Sequence, residues 1–313
     1  MTDQTPFHAG ELEAQRRAGF RSEGAGIRDW MPDQHRTFFA LLPFLPIATL
    51  DDEGWPVSTV LSGAPGFISS PDPRTLRIEA LPHPVDPIAA SMKPSAQAAV
   101  LGIMPENRRR NRANGVITAI DPNGLTLHVR QSFGNCPQYI QAREWKPAQR
   151  AAVPSIEWLD ALDEEAETLV ATADTFFVAS SSGLRAGAPG GVDISHRGGR
   201  PGFVRQDGKV LTIPDFKGNR HFNTLGNFVL NPRASLMFVD WRLGTLLQLR
   251  GTVDVEWDGH EARELAGAER IWRLQVSGGW RIRNAVPLQW AFRAFAPTTE
   301  RTGIWPQRAE RAA

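Results

Sequence analysis

The chain has 313 residues, which suits two domains of ordinary size or one large domain. Its 41% hydrophobic residues and 28 glycines together reach the usual content of globular domains, which excludes disorder as the main state. The 35 basic and 34 acidic side chains leave a formal net charge of +1, so the whole chain has no strong attraction to nucleic acid or to an anionic membrane. The 24 prolines and 28 glycines interrupt the chain too often for an all-helical bundle and favour short strands joined by turns.

Cysteine and histidine usage narrows the classes of site. Cys136 is the single cysteine, which excludes an intrachain disulfide and a multi-cysteine zinc or iron–sulfur site. The 7 histidines show no metal-ligand spacing, so we predict no metal. The first ten residues are polar, and no apolar run reaches the roughly 18 residues of a membrane helix. These features predict a cytoplasmic protein without membrane or nucleic-acid partners.

The first half of the chain predicts two helices followed by strands. Residues 7–20 are typical of a short polar helix that ends at Gly19. A second helix is predicted after Asp33, whose carboxylate is expected to cap it. Strands are predicted over residues 44–50, 57–62, 66–69, 76–80, 97–104, 116–120 and 125–129. The turn at 121–124 joins the last two strands as a hairpin.

The second half predicts a linker, a helix and another series of strands. The linker is placed at 144–158 because of its two X-Pro pairs, and the helix at 158–173 because of its apolar spacing. Strands are predicted over residues 175–180, 193–199, 202–205, 210–213, 234–239 and 246–255. The pair Asp207-Gly208 is typical of a two-residue hairpin turn. We also predict a helix over 261–274, and a strand or short helix over 288–295.

The two halves contain similar segments at a nearly constant offset. Pro65-Gly66-Phe67 recurs as Pro201-Gly202-Phe203, 136 positions later, and three further segments recur in the same order at 135 or 136 positions. Unrelated all-β domains also share Pro-Gly turns, but the constant offset favours two copies of one domain. Each copy has about six strands, which can protect their edges by closing into an antiparallel barrel. We predict an N-terminal helical extension over 1–34, a first repeat over 35–150 and a second repeat over 151–313.

The turn after the strand 210–213 has the composition of a phosphate site. Lys217 and Arg220 offer cationic donors, and Asn219 and Asn223 offer amides. A helix beginning directly after this turn would add free backbone amides. A solvated basic turn is the alternative interpretation of the same residues.

Neighbouring segments carry polar side chains that can converge on the same place. Arg197 lies on the strand before the turn, and Gln248 lies on a later strand, so both are candidates for gripping a planar polar ring. Solvent-facing positions are the alternative. The arginine cluster at 108–112 is interpreted as a strand end that contacts a phosphate or a partner subunit, in preference to nucleic acid. Cys136 is interpreted as a small packing residue in preference to a reactive thiol.

Taken together, these motifs resemble the pyridoxamine 5′-phosphate oxidase-like split-barrel proteins. In the second repeat the similar segments are 214–220, 231–238 and 248–251. In the first repeat they are 34–39, 65–67, 108–115 and 131–140, which resemble a bacterial subgroup with two such domains in one chain. The resemblance implies a mainly β (α+β) fold of two tandem FMN-binding split β-barrels with short flanking helices.

The resemblance also implies a cofactor and an assembly. The family binds FMN non-covalently, with the phosphate held by basic residues after a strand and the flavin often at a dimer interface. By carry-over, Lys217, Asn219 and Arg220 contact the phosphate, with Asn223 beside them in the turn. Arg197 and Gln248 lie near the phosphate or the isoalloxazine ring. A homodimer is therefore expected.

Two departures from the oxidase pattern limit what carries over. Gly218-Asn219-Arg220 replaces the usual serine–arginine–lysine run, and no residues match those that hold the oxidase's own substrate phosphate. The segment 81–86 replaces the basic turn in the first repeat with two prolines and no Lys or Arg. We therefore predict that the first repeat is degenerate for the cofactor or contributes walls to the site of the second repeat.

These observations predict an FMN-dependent oxidoreductase that acts on a small molecule, with a nicotinamide as reductant. No general acid or base is assigned from the sequence. The alternative is a flavin- or haem-binding protein that stores or senses its ligand without turnover.

Overall fold

The computed structural model describes residues 5–148, 152–183 and 190–306 of the chain. Its α-helices are short and lie at the edges of the strand-rich segments. They are α1 (Ala9–Arg17), α2 (Asp33–Ala40), α3 (Ile88–Ser91), α4 (Glu164–Thr172) and α5 (Asn223–Leu230). Single 3₁₀ turns occur at Glu261–Glu264 and Thr299–Arg301. No helix in the described part of the chain is long and apolar enough to cross a membrane.

The first half forms one antiparallel sheet. Its strands are β1 (Phe44–Leu50), β2 (Pro56–Ser62), β3 (Ile68–Ser69), β4 (Thr75–Ile78), β5 (Gln97–Met104), β6 (Arg109–Asp121) and β7 (Gly124–Gly134). They are hydrogen-bonded in the order β2-β1-β5-β6-β7-β4-β3. Each strand predicted in this half is present, and β6 and β7 extend beyond the predicted segments.

The second half forms a larger antiparallel sheet and a small connecting one. Its strands are β8 (Ala142–Pro147), β9 (Ser155–Leu159), β10 (Thr175–Ser181), β11 (Val192–Gly198), β12 (Arg205–Asp207), β13 (Val210–Phe216), β14 (Arg233–Val239), β15 (Leu246–Glu256), β16 (Ala268–Arg283) and β17 (Leu288–Ala294). The larger sheet has the order β11-β10-β14-β15-β16-β13-β12, and β9 also pairs with β16. Strand β8 pairs with β17, so the ends of the two halves are joined.

The two large sheets have the same topology. When β10 is read as β1 and the following strands in turn, the two seven-strand orders are identical. The longest hairpin of each sheet also has a register shift immediately before a glycine, at Gly115 in β6 and at Gly251 in β15. These glycines lie 136 positions apart, the offset of the sequence repeat. The predicted mainly β fold with two tandem domains of one type is thus confirmed, whereas the boundaries at 34/35 and 150/151 stay predictions.

The paired glycines give a test of the duplication at single residues. A Cβ on Gly115 would lie 1.9 Å from the carbonyl oxygen of His128, and one on Gly251 would lie 2.0 Å from that of Gln275. We expect Gly115→Ala and Gly251→Ala each to lower the free energy of unfolding by about 1–3 kcal/mol or more in urea titrations. Gly218→Ala is the control, because its Cβ would meet nothing within 4 Å. A glycine variant as stable as this control would contradict the prediction.

One predicted helix is wrong. Residues 261–274 contain only the 3₁₀ turn, and from Ala268 they belong to β16. Buried Leu274 and Val276 alternate with exposed Gln275 and Ser277, which is the burial pattern of a strand. Strand β16 pairs with both β15 and β13, so non-local hydrogen bonds decide its conformation.

The predicted linker and the helix that follows it also need correction. Residues 144–158 contain most of β8 and β9, while 149–151 lie outside the described residues. Helix α4 begins only at Glu164, because the Asp163 side chain accepts a hydrogen bond from the backbone amide of Ala166 at 2.8 Å. Asp33 is the first residue of α2 and makes no capping bond, since the N-cap is Pro32.

The apolar core has three parts. One cluster fills each repeat, and Trp272 is the largest fully buried side chain of the second one. A third cluster lies between the repeats, with buried members from both, among them Phe44, Ala99, Leu101, Phe177, Ile194 and Met237. The sheets therefore pack against each other through β1 and β5 on one side and β10, β11 and β14 on the other.

Candidate functional site

A polar pocket lies at the junction of the two repeats, and we call it the junction pocket. The second repeat contributes β11, the end of β13 and the start of α5, and the first repeat contributes β6 and the segment 135–139. Its polar lining comprises Arg110, Arg112, Asn135, Tyr139, Ser195, His196, Arg197, Asp215, Asn219, Arg220, Asn223, Thr224, Glu269 and Arg270. Its volume is about 100 Å³.

The turn between β13 and α5 has a strained backbone. Arg220 and Phe222 both have φ of 61°, in the left-handed region that residues other than glycine rarely adopt. Phe222 is the N-cap of α5 and makes no side-chain capping bond. The first residues of α5, Asn223 to Leu225, line the junction pocket. The positive end of the helix dipole is therefore available to an anion in the pocket.

Cations outnumber anions in the lining. Among the described residues around the pocket, five are arginines and two, Asp215 and Glu269, are acidic. Asp215 accepts from Arg197 at 2.6 Å and from Arg270 at 3.1 Å. Glu269 pairs with Arg270 at 2.7 Å and, more loosely, with Arg220 at 3.4 Å. Arg112 is paired with Asp193, which lies outside the lining, so an excess of two positive charges remains and favours an anionic ligand.

Arg112 connects the two repeats beneath the pocket. Its guanidinium forms a buried ion pair with Asp193 at 2.9 Å and donates to Ser195 Oγ at 2.6 Å. It also donates to Asn223 Oδ1 at 3.1 Å. Burial lowers the pKa of Arg112, Asp193 raises it, and the neighbouring Arg197 lowers it. One side chain of the first repeat thus orients β11 and α5 of the second.

Arg110 holds the segment that closes the pocket on the first-repeat side. It donates to the backbone oxygen of Cys136 at 2.9 Å and lies 3.6 Å from the Cys136 sulfur. It also lies 3.1 Å from Nδ1 of His196. Burial and the charge of Arg110 hold the pKa of His196 well below its usual value. His196 is therefore neutral and accepts from Arg110 through Nδ1.

A family model covers the part of the chain that forms the second-repeat wall. Residues 162–285 match the model described as pyridoxamine 5′-phosphate oxidase. The chain carries a pyridoxamine 5′-phosphate oxidase-like domain. This domain spans the strands from β10 to β16 together with α4 and α5, and so includes the strained turn. Among curated proteins, none matches the chain significantly.

Solved structures with low similarity match about one repeat. A single-substitution variant of HupZ of Group A Streptococcus is 15% identical over 36% of this chain and 93% of that chain, with a TM-score of 0.28. An FAD-binding protein of Mesorhizobium loti is 10% identical over 42% of this chain and 100% of that chain, with a TM-score of 0.29. A putative 5-nitroimidazole antibiotic resistance protein of Bacteroides thetaiotaomicron is 12% identical over 45% of this chain and 92% of that chain, with a TM-score of 0.29. TM-scores this low carry no argument about function.

In the pyridoxamine 5′-phosphate oxidase-like domain, four predicted site residues lie together. Arg197, Asn219, Arg220 and Asn223 all line the junction pocket. Lys217 does not line it and is exposed, although its backbone oxygen accepts from the Tyr139 hydroxyl at 3.1 Å. Whether these residues contact a cofactor stays a prediction.

The structure separates Gln248 from the other predicted residues. Its side chain is fully buried, and Nε2 donates to the backbone oxygen of Ser58 in the first repeat. Its Oε1 accepts from Ser58 Oγ at 3.2 Å and Ser235 Oγ at 3.0 Å. Gln248 lies 136 positions after Arg112, at the equivalent place in β15. Each of these two side chains reaches into the opposite repeat, which moves Gln248 away from the junction pocket.

The sequence predicts a first-repeat wall as one alternative, but it does not identify the residues that form this wall. Arg110 and Arg112 belong to the arginine cluster predicted to contact a phosphate or a partner, but neither was assigned to the site. Asn135 and Tyr139 were missed as well. The repeat offset could have identified Arg112, because Arg112 is the counterpart of the predicted site residue Gln248 in the first repeat.

The first repeat has an equivalent cavity with different chemistry. This cavity has a volume of about 310 Å³, and its lining includes Thr59, Leu61 and Asp86. By the repeat offset, these positions correspond to Ser195, Arg197 and the start of α5 at the junction pocket. No Arg or Lys occurs in its lining within the described chain. Burial raises the pKa of Asp86 to about 6, although Thr59 donates to it at 2.6 Å. This lining suits a phosphate poorly, and the loss of the cofactor turn here stays a prediction.

Proposed function

We propose that the junction pocket binds FMN through its phosphate and that the protein is an FMN-dependent oxidoreductase acting on a small organic molecule. The observation that carries the proposal is an uncapped helix start and two left-handed residues at one turn, together with an excess of arginines in the surrounding pocket lining. Helix amides and guanidinium groups are the donors that phosphate prefers in proteins. The match to the pyridoxamine 5′-phosphate oxidase model supports a flavin as the molecule that carries this phosphate.

Donors without a partner also fit a phosphate in this pocket. The Nε atoms of Arg112 and Arg197 and the Nδ2 atom of Asn135 are buried without a hydrogen-bond partner among the described residues. An unsatisfied buried donor is costly, and an anion would satisfy such groups. Arg220, which pairs only loosely with Glu269, would neutralise a further phosphate charge.

The two repeats divide the work of binding. The pocket volume of about 100 Å³ is below the roughly 300–1,000 Å³ of a typical ligand pocket, so the flavin ring would extend out of the pocket along the open side between the repeats. Both walls of the pocket belong to one chain, so we expect one FMN per chain and no requirement for a homodimer. The homodimer expected from the resemblance stays a prediction.

When bound, the flavin would supply hydride or electron transfer, with a nicotinamide as the proposed donor. The chain's own residues would bind and orient it. Arg197, Arg220 and the start of α5 would hold the phosphate, while Arg112 keeps β11 and α5 in place around it. A flavin- or haem-binding protein without turnover is the alternative function.

The phosphate assignment predicts a difference between FMN and riboflavin. We expect Arg220→Ala to weaken FMN binding by about 10- to 100-fold, the effect of losing a hydrogen bond to a charged group. Riboflavin lacks the phosphate, so its affinity should change little. Lys217→Ala should have a smaller effect than Arg220→Ala, since Lys217 lies outside the lining. Quenching of flavin fluorescence measures both ligands with each variant.

His83→Ala is the matched control, because His83 lines the equivalent cavity of the first repeat and should leave FMN affinity unchanged. If FMN affinity is also unchanged in the double variant Lys217→Ala/Arg220→Ala, the phosphate assignment fails. A colourless protein that takes up no FMN would contradict flavin binding altogether, and a Soret band would favour haem. Flavin reduction by NADH or NADPH, followed by turnover, separates an enzyme from a binding protein.

A further inference from the structure

A second and larger cavity lies beside the junction pocket, and we call it the N-terminal cavity. It has a volume of about 420 Å³ and lies between α1, the beginning of β11 and the middle of β6. Asn223 lines both cavities, and the Arg112–Asp193 ion pair lies close to this shared wall. The two cavities thus share a wall, although their linings differ in chemistry.

The buried end of the N-terminal cavity is rich in hydrogen-bond acceptors. Asn114 lines it, and its Oδ1 is buried without a hydrogen-bond partner in the described part of the chain. The carboxyl groups of Glu11 and Asp193 line the same end and are almost fully buried. An unsatisfied acceptor beside two carboxyl groups favours a ligand that brings N–H donors.

His8 does not supply those donors. Its Nδ1 accepts from the backbone amide of Gly10 at 3.1 Å, and its Nε2 lies 3.0 Å from Asn227 Oδ1. Both ring nitrogens are therefore engaged, and the imidazole has the neutral form with its proton on Nε2. Burial lowers the pKa of His8 and so also favours this neutral form.

The exposed end of the cavity has the opposite character. Arg28 and Arg130 are both exposed lining residues. The acidic lining residue at this end, Asp29, already pairs with Arg74. The mouth therefore presents two cations, which favour an anionic group on the part of a ligand that stays near solvent.

We propose that the N-terminal cavity is a second ligand site, which binds a small organic acid with an N–H-bearing group at its far end. The amine or amide end contacts Asn114 and the neighbouring carboxyl groups, and the acid faces Arg28 and Arg130. The identity of this ligand as the substrate rests on the proposed flavin function, whereas its binding does not.

Calorimetric titration with three simple probes tests the site. The probes are 4-aminobenzoate, benzoate without the amine, and aniline without the acid. We expect 4-aminobenzoate to bind at least about 5-fold more tightly than either of the others, because each lacks one set of polar contacts. Asn114→Leu should remove the preference over benzoate, and Arg130→Gln should weaken the two acids and leave aniline unchanged. Thr118→Ala, an exposed position of β6 outside the lining, is the control.

The titration is run on the FMN-free chain and on the chain with saturating FMN. Unchanged 4-aminobenzoate affinity in both supports two separate sites. Loss of binding with FMN present would overturn the proposal, because the cavity would then belong to the flavin site. Equal affinity for the three probes, or no effect of Asn114→Leu, would overturn it as well. If the chain takes up no FMN, the proposed function fails, while the FMN-free titration still decides the second site.

Discussion

Replacing Arg112 with Gln is expected to lower the free energy of unfolding by about 3–5 kcal/mol. The Arg112 and Asp193 side chains are each only 5% exposed, so the variant leaves a carboxylate buried without its cation. Ser195 Oγ and Asn223 Oδ1 lose a donor at the same time. Urea unfolding at pH 7 without added flavin measures the change.

Two variants decide whether the buried charge is the cause. In Arg112→Gln/Asp193→Asn both charges are absent, so this double variant should recover part of the lost stability and give a favourable coupling energy in a double-mutant cycle. Arg109→Gln changes an exposed arginine of the same strand that stacks on Phe38, and should cost less than about 1 kcal/mol. If Arg112→Gln costs no more than Arg109→Gln, the ion pair does not hold the repeats together as described.

The fold was predictable where its signals are local. Turn residues and alternating apolar residues located most strands, and the offset of 136 positions, as between Gly115 and Gly251, revealed the duplication. Prediction failed where partners distant in the chain decide the conformation. Strand β16 pairs with β13 and β15, and β8 pairs with β17, although the local sequence of each favours another structure.

The candidate site was predictable by half, for a related reason. Arg197 and Arg220 lie on the strand and the turn of one repeat, so neighbouring motifs pointed to both. Arg110 and Arg112 form the other wall, and they precede the turn by about 110 positions in the chain. Only the packing of one repeat on the other brings them to the turn. The same packing places the Gln248 side chain against Ser58 of the first repeat. The sequence of its own strand does not indicate this contact.

Glu11 gives the fold an unusual dependence on pH. Burial raises the pKa of its carboxyl group to about 7. The backbone amide of His8 and the side chain of Asn223 donate to it and lower this pKa, as does the charge of Arg112, while Asp193 raises it. The folded chain therefore holds the Glu11 proton more tightly than the unfolded chain, where the ordinary value of 4.5 applies. It follows that the contribution of Glu11 to stability falls as the pH rises from about 4.5 to 7.

As the pH rises from 5 to 8, we expect the unsubstituted chain to lose about 2–3 kcal/mol of stability that Glu11→Gln keeps, because Gln does not ionise. The amide also faces the Asn223 side chain less favourably, but that cost is independent of pH. The decisive quantity is therefore the change with pH of the free energy of unfolding, which urea titrations measure at each pH. Glu13→Gln is the control on the same helix. Hydrogen bonds from Arg16 and Arg17 lower the pKa of Glu13 to about 2, so its contribution is lost only in more acidic solution. Parallel stability profiles for Glu11→Gln and the unsubstituted chain would show that Glu11 is already ionised in the fold at pH 5.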